Sequence, residues 1–267
     1  MANILVVGDL MLDIAAAVRP LTTYEGATVS YTGERWRYYP GGAANVASII
    51  QGMGHDVTIC GCLASDWAGW ELYKLLPDES WVSFNATATT VKLRGYTGDG
   101  VALRLDREVP EPLGCPFPSD ITKFDGAAFS DYYKGVFGRK VDSAKIRSII
   151  DSGIPTVVDP HVRGRNGLWA NATIATPNER EHDAIGSMGT RCTAVTMGRD
   201  GANLFYGDKF ASSHRPLIPC ETPQVVGAGD AFTAALAVAL SAQTTDMPTA
   251  VDIAVEFAAD YVKNPRT

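Results

Sequence analysis

The chain has 267 residues, 46% of them hydrophobic and 20% charged, a balance that suits a globular enzyme with one sizeable core. A formal net charge of -7 and a pI of about 5.1 argue against a nucleic-acid or anionic-membrane partner, although a local cluster of Lys and Arg can still hold a phosphate. Five cysteines without a CxxC pair and four scattered histidines offer neither a disulfide framework nor a zinc site, and reduced thiols in the cytoplasm are the simple expectation.

In chain order, residues 3–8 (NILVVG) form a continuous apolar run ending in glycine, the pattern of a buried parallel strand. No basic segment and long apolar stretch precede it, so no signal peptide is expected. Residues 24–39 alternate polar and β-favouring types and read as exposed antiparallel strands. A helix is predicted over 42–53, a strand over 56–62, and a helix from a cap at Asp66 to residue 76. Two further alternating segments, 89–96 and 100–107, are expected to join 24–39 in a small sheet. A buried strand follows at 125–130. An amphipathic helix over 141–151 is stopped by Gly153 and Pro155. Short strands at 156–159, 172–175 and 191–196 lead to helices over 228–240 and 248–262. The apolar stretch 231–240 is too short to span a membrane. Strands alternating with helices imply a mostly parallel sheet covered on both faces, with ligands at the carboxyl ends of the strands.

The chemistry-bearing segments follow those strands. Residues 225–232 (VVGAGDAF) run from a strand-like segment through a glycine turn into a long apolar helix. Glycines there admit an anion close to the backbone, and the helix N-terminus supplies N–H groups and a positive dipole end. Asp230 in the first turn can take a proton from a hydroxyl or simply cap the helix. Residues 40–47 (PGGAANVA) bring Gly41, Gly42 and Asn45 to a turn against which a substrate can lie, or which is only a tight entry to a packed helix. Residues 8–13 (GDLMLD) place carboxylates, Asp13 among them, where they can accept from polyol hydroxyls or cap a turn. Residues 176–181 (TPNERE) offer Asn178 and Glu181 as hard oxygen donors, or a helix start with Pro177 at its first position. Residues 195–201 (VTMGRDG) read as a strand-turn-strand, a pattern any hairpin can show, with Thr196, Gly198 and Gly201.

In this order, these blocks resemble the ribokinase-like (PfkB-type) carbohydrate kinases, over about residues 4–262. Within that class the match is nearest to the D-glycero-β-D-manno-heptose-7-phosphate kinase domain of ADP-heptose synthesis enzymes. It rests on GDLMLD, PGGAANVA, 92–94 (KLR), 104–106 (RLD), 130–135 (SDYYKG), 158–160 (VDP), TPN and VVGAGD. The resemblance implies an α/β three-layer sandwich in one domain, with a central mostly parallel sheet and a small β-sheet lid from about 14–39 and 88–107. It implies ATP and Mg²⁺, with Asp230 as base and Gly227, Ala228 and Gly229 as an anion hole. Asp13, Gly41, Gly42, Asn45, Lys92, Arg94, Arg104, Asp131 and Lys134 are then expected at the sugar phosphate. Asn178, Thr196, Gly198, Gly201 and Gly229 are expected at the nucleotide, and Glu181 with Asn178 at Mg²⁺, partly through water. A homodimer through the lid is a further implication. Against the family pattern the stretch between Glu181 and Val195 is short, and the Gly-Thr segment usual after Tyr261 is absent. His161 stands where lysine is usual, and no nucleotidyltransferase HxGH motif is present. These departures keep open a kinase for another sugar or a nucleoside, or a non-catalytic relative that binds sugar phosphate or nucleotide. GDLMLD is not GxGxxG, which disfavours a Rossmann dehydrogenase.

Overall fold

The structure, a computed structural model, describes residues 1–263 except 24–25, 32, 34, 99, 112 and 219–225. Val225 of the glycine-turn segment and Tyr24 of the 24–39 segment therefore lie outside the described residues. In chain order the strands and helices are β1 (Asn3–Gly8), β2 (Leu10–Thr23), β3 (Gly26–Tyr31), β4 (Arg37–Gly42), α1 (Ala43–Gly52), β5 (Asp56–Cys62), α2 (Trp67–Tyr73), β6 (Ser80–Ser83), β7 (Thr90–Thr97), β8 (Gly100–Arg107) and β9 (Gly126–Ser130). They continue with α3 (Ser143–Asp151), β10 (Thr156–Asp159), β11 (Ile174–Ala175), α4 (Glu179–Ile185), β12 (Cys192–Thr196), β13 (Ala202–Tyr206), β14 (Lys209–His214), α5 (Ala228–Ser241) and α6 (Met247–Lys263).

The large sheet has the order β14-β13-β12-β11-β10-β9-β1-β5-β6, parallel from β6 to β12, with β13 and β14 antiparallel at one edge. The apolar run of β1 feeds both faces, because alternate side chains of a strand point opposite ways. Ile4 and Val6 join α1, α2, α5 and α6 in one core cluster. Leu5 and Val7 join α3, Phe129 and Trp169 in the other. This is a three-layer α/β sandwich with a mostly parallel centre. Among the described residues no helix is long and apolar enough to cross a membrane.

The smaller sheet differs from expectation in one respect. The segments 24–39 and 89–107 do supply strands, but the backbone of the sheet is β2, a 14-residue strand that sequence patterning did not reveal and that the family resemblance placed in the lid only from about residue 14. Along one edge β2 pairs first with β4 (Leu10↔Gly42 to Ala15↔Arg37) and then with β3 (Val18↔Tyr31 to Thr23↔Gly26). Along the other edge it runs parallel to β7, which pairs with β8. The alanines at 15–17 favour helix over strand as isolated residues, so the tertiary pairing overrides propensity. Helix α2 ends at Tyr73 rather than at residue 76. β13 is the second strand of the strand-turn-strand expected around 195–201, whereas β6 and β14 were not anticipated.

Candidate active site

Helix α5 begins at Gly227, whose φ of 86° lies in the left-handed region, and no side chain caps it. A Cβ on Gly227 would sit 3.0 Å from Asn45 Nδ2 and 3.2 Å from the Tyr261 ring, so only glycine leaves this turn open. The first N–H groups of a helix have no intrahelical acceptors, and the N-cap glycine has no side chain to take them. Asp230 lies in this first turn and is 5% exposed. Its Oδ2 accepts from Asn45 Nδ2 at 2.7 Å and its Oδ1 from the Tyr132 hydroxyl at 2.7 Å. Burial pushes the Asp230 carboxyl up to about 6, against the pull of those two hydrogen bonds. The group is thus an anion at neutral pH with a basicity raised above that of an exposed aspartate.

Two cavities meet at this turn. The first, about 390 Å³, is lined by Asp13, Asn45, Arg94, Gly227 and Asp230, and by residues of β4 and the chain leading into it. Asp13 Oδ1 accepts from Arg94 Nη1 at 2.9 Å. Burial raises the Asp13 carboxyl and Arg94 opposes the shift. Gly41 lets β4 lie against this carboxylate, since a Cβ there would come within 2.8 Å of Asp13 Oδ2. Gly42 (φ 60°) turns the chain from β4 into α1, and a Cβ there would meet the Asp9 carbonyl oxygen at 2.5 Å. Lys92 does not line the cavity. Its Nζ lies 5.3 Å from the Tyr132 ring centre, and burial lowers its pKa.

The second cavity, about 840 Å³, lies across the turn and is lined by Asp131, Asp159, Asn178, Glu181, Thr196, Gly198, Gly201, Ala228 and Gly229. Phe232 of α5 and Val255, Ala258 and Val262 of α6 form an apolar wall. Asn178 Oδ1 accepts from the Glu181 N–H at 3.0 Å, while Glu181 Oε2 accepts from the Asn178 N–H at 2.9 Å. This reciprocal cap makes Asn178, not Pro177, the residue at which α4 starts. It engages one of the two lone pairs of the Asn178 side-chain oxygen and fixes Asn178 and Glu181 against each other at the rim of this cavity. Asp159 and Glu181 are raised by burial. The Asp131 carboxyl is pushed up to about 7 by burial and by Asp9.

Besides Lys92, three side chains expected at the sugar phosphate sit elsewhere. Asp131 lines the second cavity, because the β9 carboxyl end points it across the sheet toward β10. Arg104 is bound to Asp106 at 2.7 Å, and Lys134 to Glu108 at 2.9 Å, and neither lines either cavity. Sequence reading also passed over Tyr132, Asp159 and the role of Asp9. The buried Asp9 carboxylate accepts the backbone N–H groups of Tyr132, Lys134 and Val136, at 2.9, 2.9 and 3.0 Å. It thereby shapes the loop that delivers the Tyr132 hydroxyl. Tyr132 and Asp159 stood inside quoted blocks (SDYYKG, VDP), but nothing local tells which residue of a block faces a partner far along the chain.

Solved structures share this architecture. The structure of Arabidopsis thaliana ribokinase complexed with ribose and ATP aligns with a TM-score of 0.74 at 19% identity, covering 98% of this chain and 93% of that one. The tetrameric inhibited form of phosphofructokinase-2 from Escherichia coli aligns at 0.73 and 18% identity, covering 98% and 95%. The fold is thus that of the ribokinase-like kinases. The chain belongs to the pfkB family of carbohydrate kinases, whose pattern matches residues 1–80 and 152–267. The unmatched stretch holds β7, β8 and the Tyr132 loop. Curated relatives are bifunctional HldE proteins. That of Caulobacter sp. is 31% identical over 272 residues, 90% of this chain and 55% of that protein. That of Pelobacter propionicus is 29% identical over 279 residues, 90% and 56%. The chain spans a little over half the length of these relatives.

Proposed function

We propose that this carbohydrate kinase transfers the γ-phosphoryl group of ATP to a sugar phosphate, D-glycero-D-manno-heptose 7-phosphate at O1, giving the 1,7-bisphosphate and ADP. The observation that carries the reading is the place of Asp230, buried and hydrogen-bonded at an uncapped helix start where two cavities meet. The smaller cavity takes the sugar, with Asp13 and Asn45 as hydrogen-bonding partners for its hydroxyls. The larger takes the nucleotide, with the α6 wall suited to a flat apolar base and Gly198 and Gly201 lining it. As the hydroxyl oxygen bonds to phosphorus, Asp230 takes its proton and the bond from phosphorus to the ADP oxygen breaks. The Gly227–Ala228–Gly229 backbone and the α5 dipole stabilise negative charge on the group in flight.

The donor set fits Mg²⁺. Asp159 and Glu181 are carboxylates whose ionisation is resisted by burial, and at Asp159 also by Asp230 and Glu181, so a cation held near them would relieve both. Among the described residues no three acidic, His or Cys side chains are grouped to hold an ion alone, which suits a metal shared with phosphate oxygens and water. Bound there, Mg²⁺ neutralises charge on the phosphates.

The heptose assignment rests on the KLR, RLD, SDYYKG and VDP blocks and on the HldE relatives. A cytoplasmic setting belongs to the same reading, as ATP is the donor. So does a homodimer through the smaller sheet, where Val101, Leu103 and Leu105 of β8 are 51, 37 and 63% exposed. A monomer in sedimentation equilibrium would remove that last element alone. The test of the reaction is ADP release with Mg·ATP and heptose 7-phosphate, fructose 6-phosphate, ribose or adenosine. Fastest turnover on heptose 7-phosphate is expected. Turnover on ribose or adenosine alone would discard the sugar-phosphate substrate.

A further inference from the structure

The sugar cavity is strongly charged at the end away from Asp230. Arg94, Arg35 and Arg37 line it together with the carboxylates of Asp13 and Asp230. Asp13 is paired with Arg94, and Asp230 is held by Asn45 and Tyr132. That leaves Arg35 and Arg37, for which no carboxylate partner is found among the described residues. Two uncompensated guanidinium groups in one pocket of a chain with net charge -7 match the two charges of a phosphate monoester.

Strand register sets how far these groups lie from the reacting end. Lys92, Asp13 and Tyr39 form one cross-strand row over β7, β2 and β4. Arg94, Ala15 and Arg37 form the next row out. Successive same-face rows are about 7 Å apart, two residues of strand rise. Residue 35 stands a further two positions along the chain that enters β4. The centre of the outer row is Ala15, whose methyl leaves the floor between Arg94 and Arg37 open. A sugar with its reacting hydroxyl at Asp230 and its ring against Asp13 therefore points its far end at Arg37 and Arg35.

We propose that Arg37 and Arg35 form a phosphate subsite of the sugar cavity, recognising the terminal phosphate of a sugar monophosphate and so choosing which end of the sugar meets Asp230. The proposal rests on the sugar-phosphate reading above, and it displaces Arg104 and Lys134, which are paired outside the cavity. Both subsite arginines are exposed, so their removal leaves the core untouched.

The experiment is isothermal titration without nucleotide, comparing heptose 7-phosphate with the free heptose. The proteins are wild type, R37A, the R35A/R37A double variant and R104A. Wild type should bind the phosphorylated sugar at least about tenfold more tightly, the effect of one or two charge-assisted hydrogen bonds. The preference should fall below about threefold in the double variant and persist in R104A, R37A lying between. A preference that survives R35A/R37A, or collapses in R104A, overturns the subsite and leaves the sugar-phosphate reading standing. A wild type that binds the phosphorylated sugar no more tightly than the free one overturns both.

Discussion

Asp230 owes its properties to two side chains remote in sequence. Asn45 is 185 residues away and Tyr132 is 98 residues away, yet both donate to its carboxylate at 2.7 Å. Burial raises the carboxyl to about 6 and these donors hold it down. The proposed base works only when ionised, so kcat/KM should rise with pH through an acid limb near 6. Tyr132→Phe removes one donor to the charged form and should move that limb to higher pH. A pH-rate profile with an unmoved or lower midpoint would show that Tyr132 does not tune the base. Asp230 was legible in the sequence because glycines, carboxylate and apolar helix are consecutive. Tyr132 was not, because its partner is fixed by the sheet order that brings β9 beside β1. Arg35 and Arg37 were hidden for a similar reason. Their meaning depends on the register of β4 against β2, and KLR and RLD offered basic residues that looked better placed.

At the scale of elements, the parallel strands other than β6 were readable from their apolar runs, and α1, α3, α5 and α6 from their apolar patterning. The cap read at Asp66 is present too, its carboxylate accepting from the Gly69 N–H at 2.8 Å at the start of α2. β2 was hidden because its alanines carry no strand signal and its stability comes from neighbours on both edges. Asp9 joins these elements, as its carboxylate at the end of β1 gathers three N–H groups of the loop after β9. Asp9→Ala would leave those donors, buried at Val136 and part-buried at Tyr132 and Lys134, without their acceptor. At about 1–3 kcal/mol for each unsatisfied group, the loss should reach about 3 kcal/mol or more. Urea unfolding monitored by tryptophan fluorescence measures it. A loss below about 1 kcal/mol would mean the loop finds other acceptors.

On the scale of the molecule, the large sheet presents the carboxyl ends of β1, β9, β10 and β12 on one side, and the first turn of α5 divides what lies there. Gly227 and Asp230 face the cavity roofed by the smaller sheet, while Ala228 and Gly229 face the cavity walled by α6. A donor in one and an acceptor in the other would exchange a group across a single helical turn, and the smaller sheet would keep water from competing for it. Such a division predicts that chemistry and binding separate in one substitution. The direct measurement is ADP release by Asp230→Asn beside wild type, with sugar-phosphate affinity measured on both. Turnover should fall by about three orders of magnitude or more while sugar-phosphate affinity changes by less than about threefold. Turnover within about tenfold of wild type would contradict the assignment of Asp230 as the base.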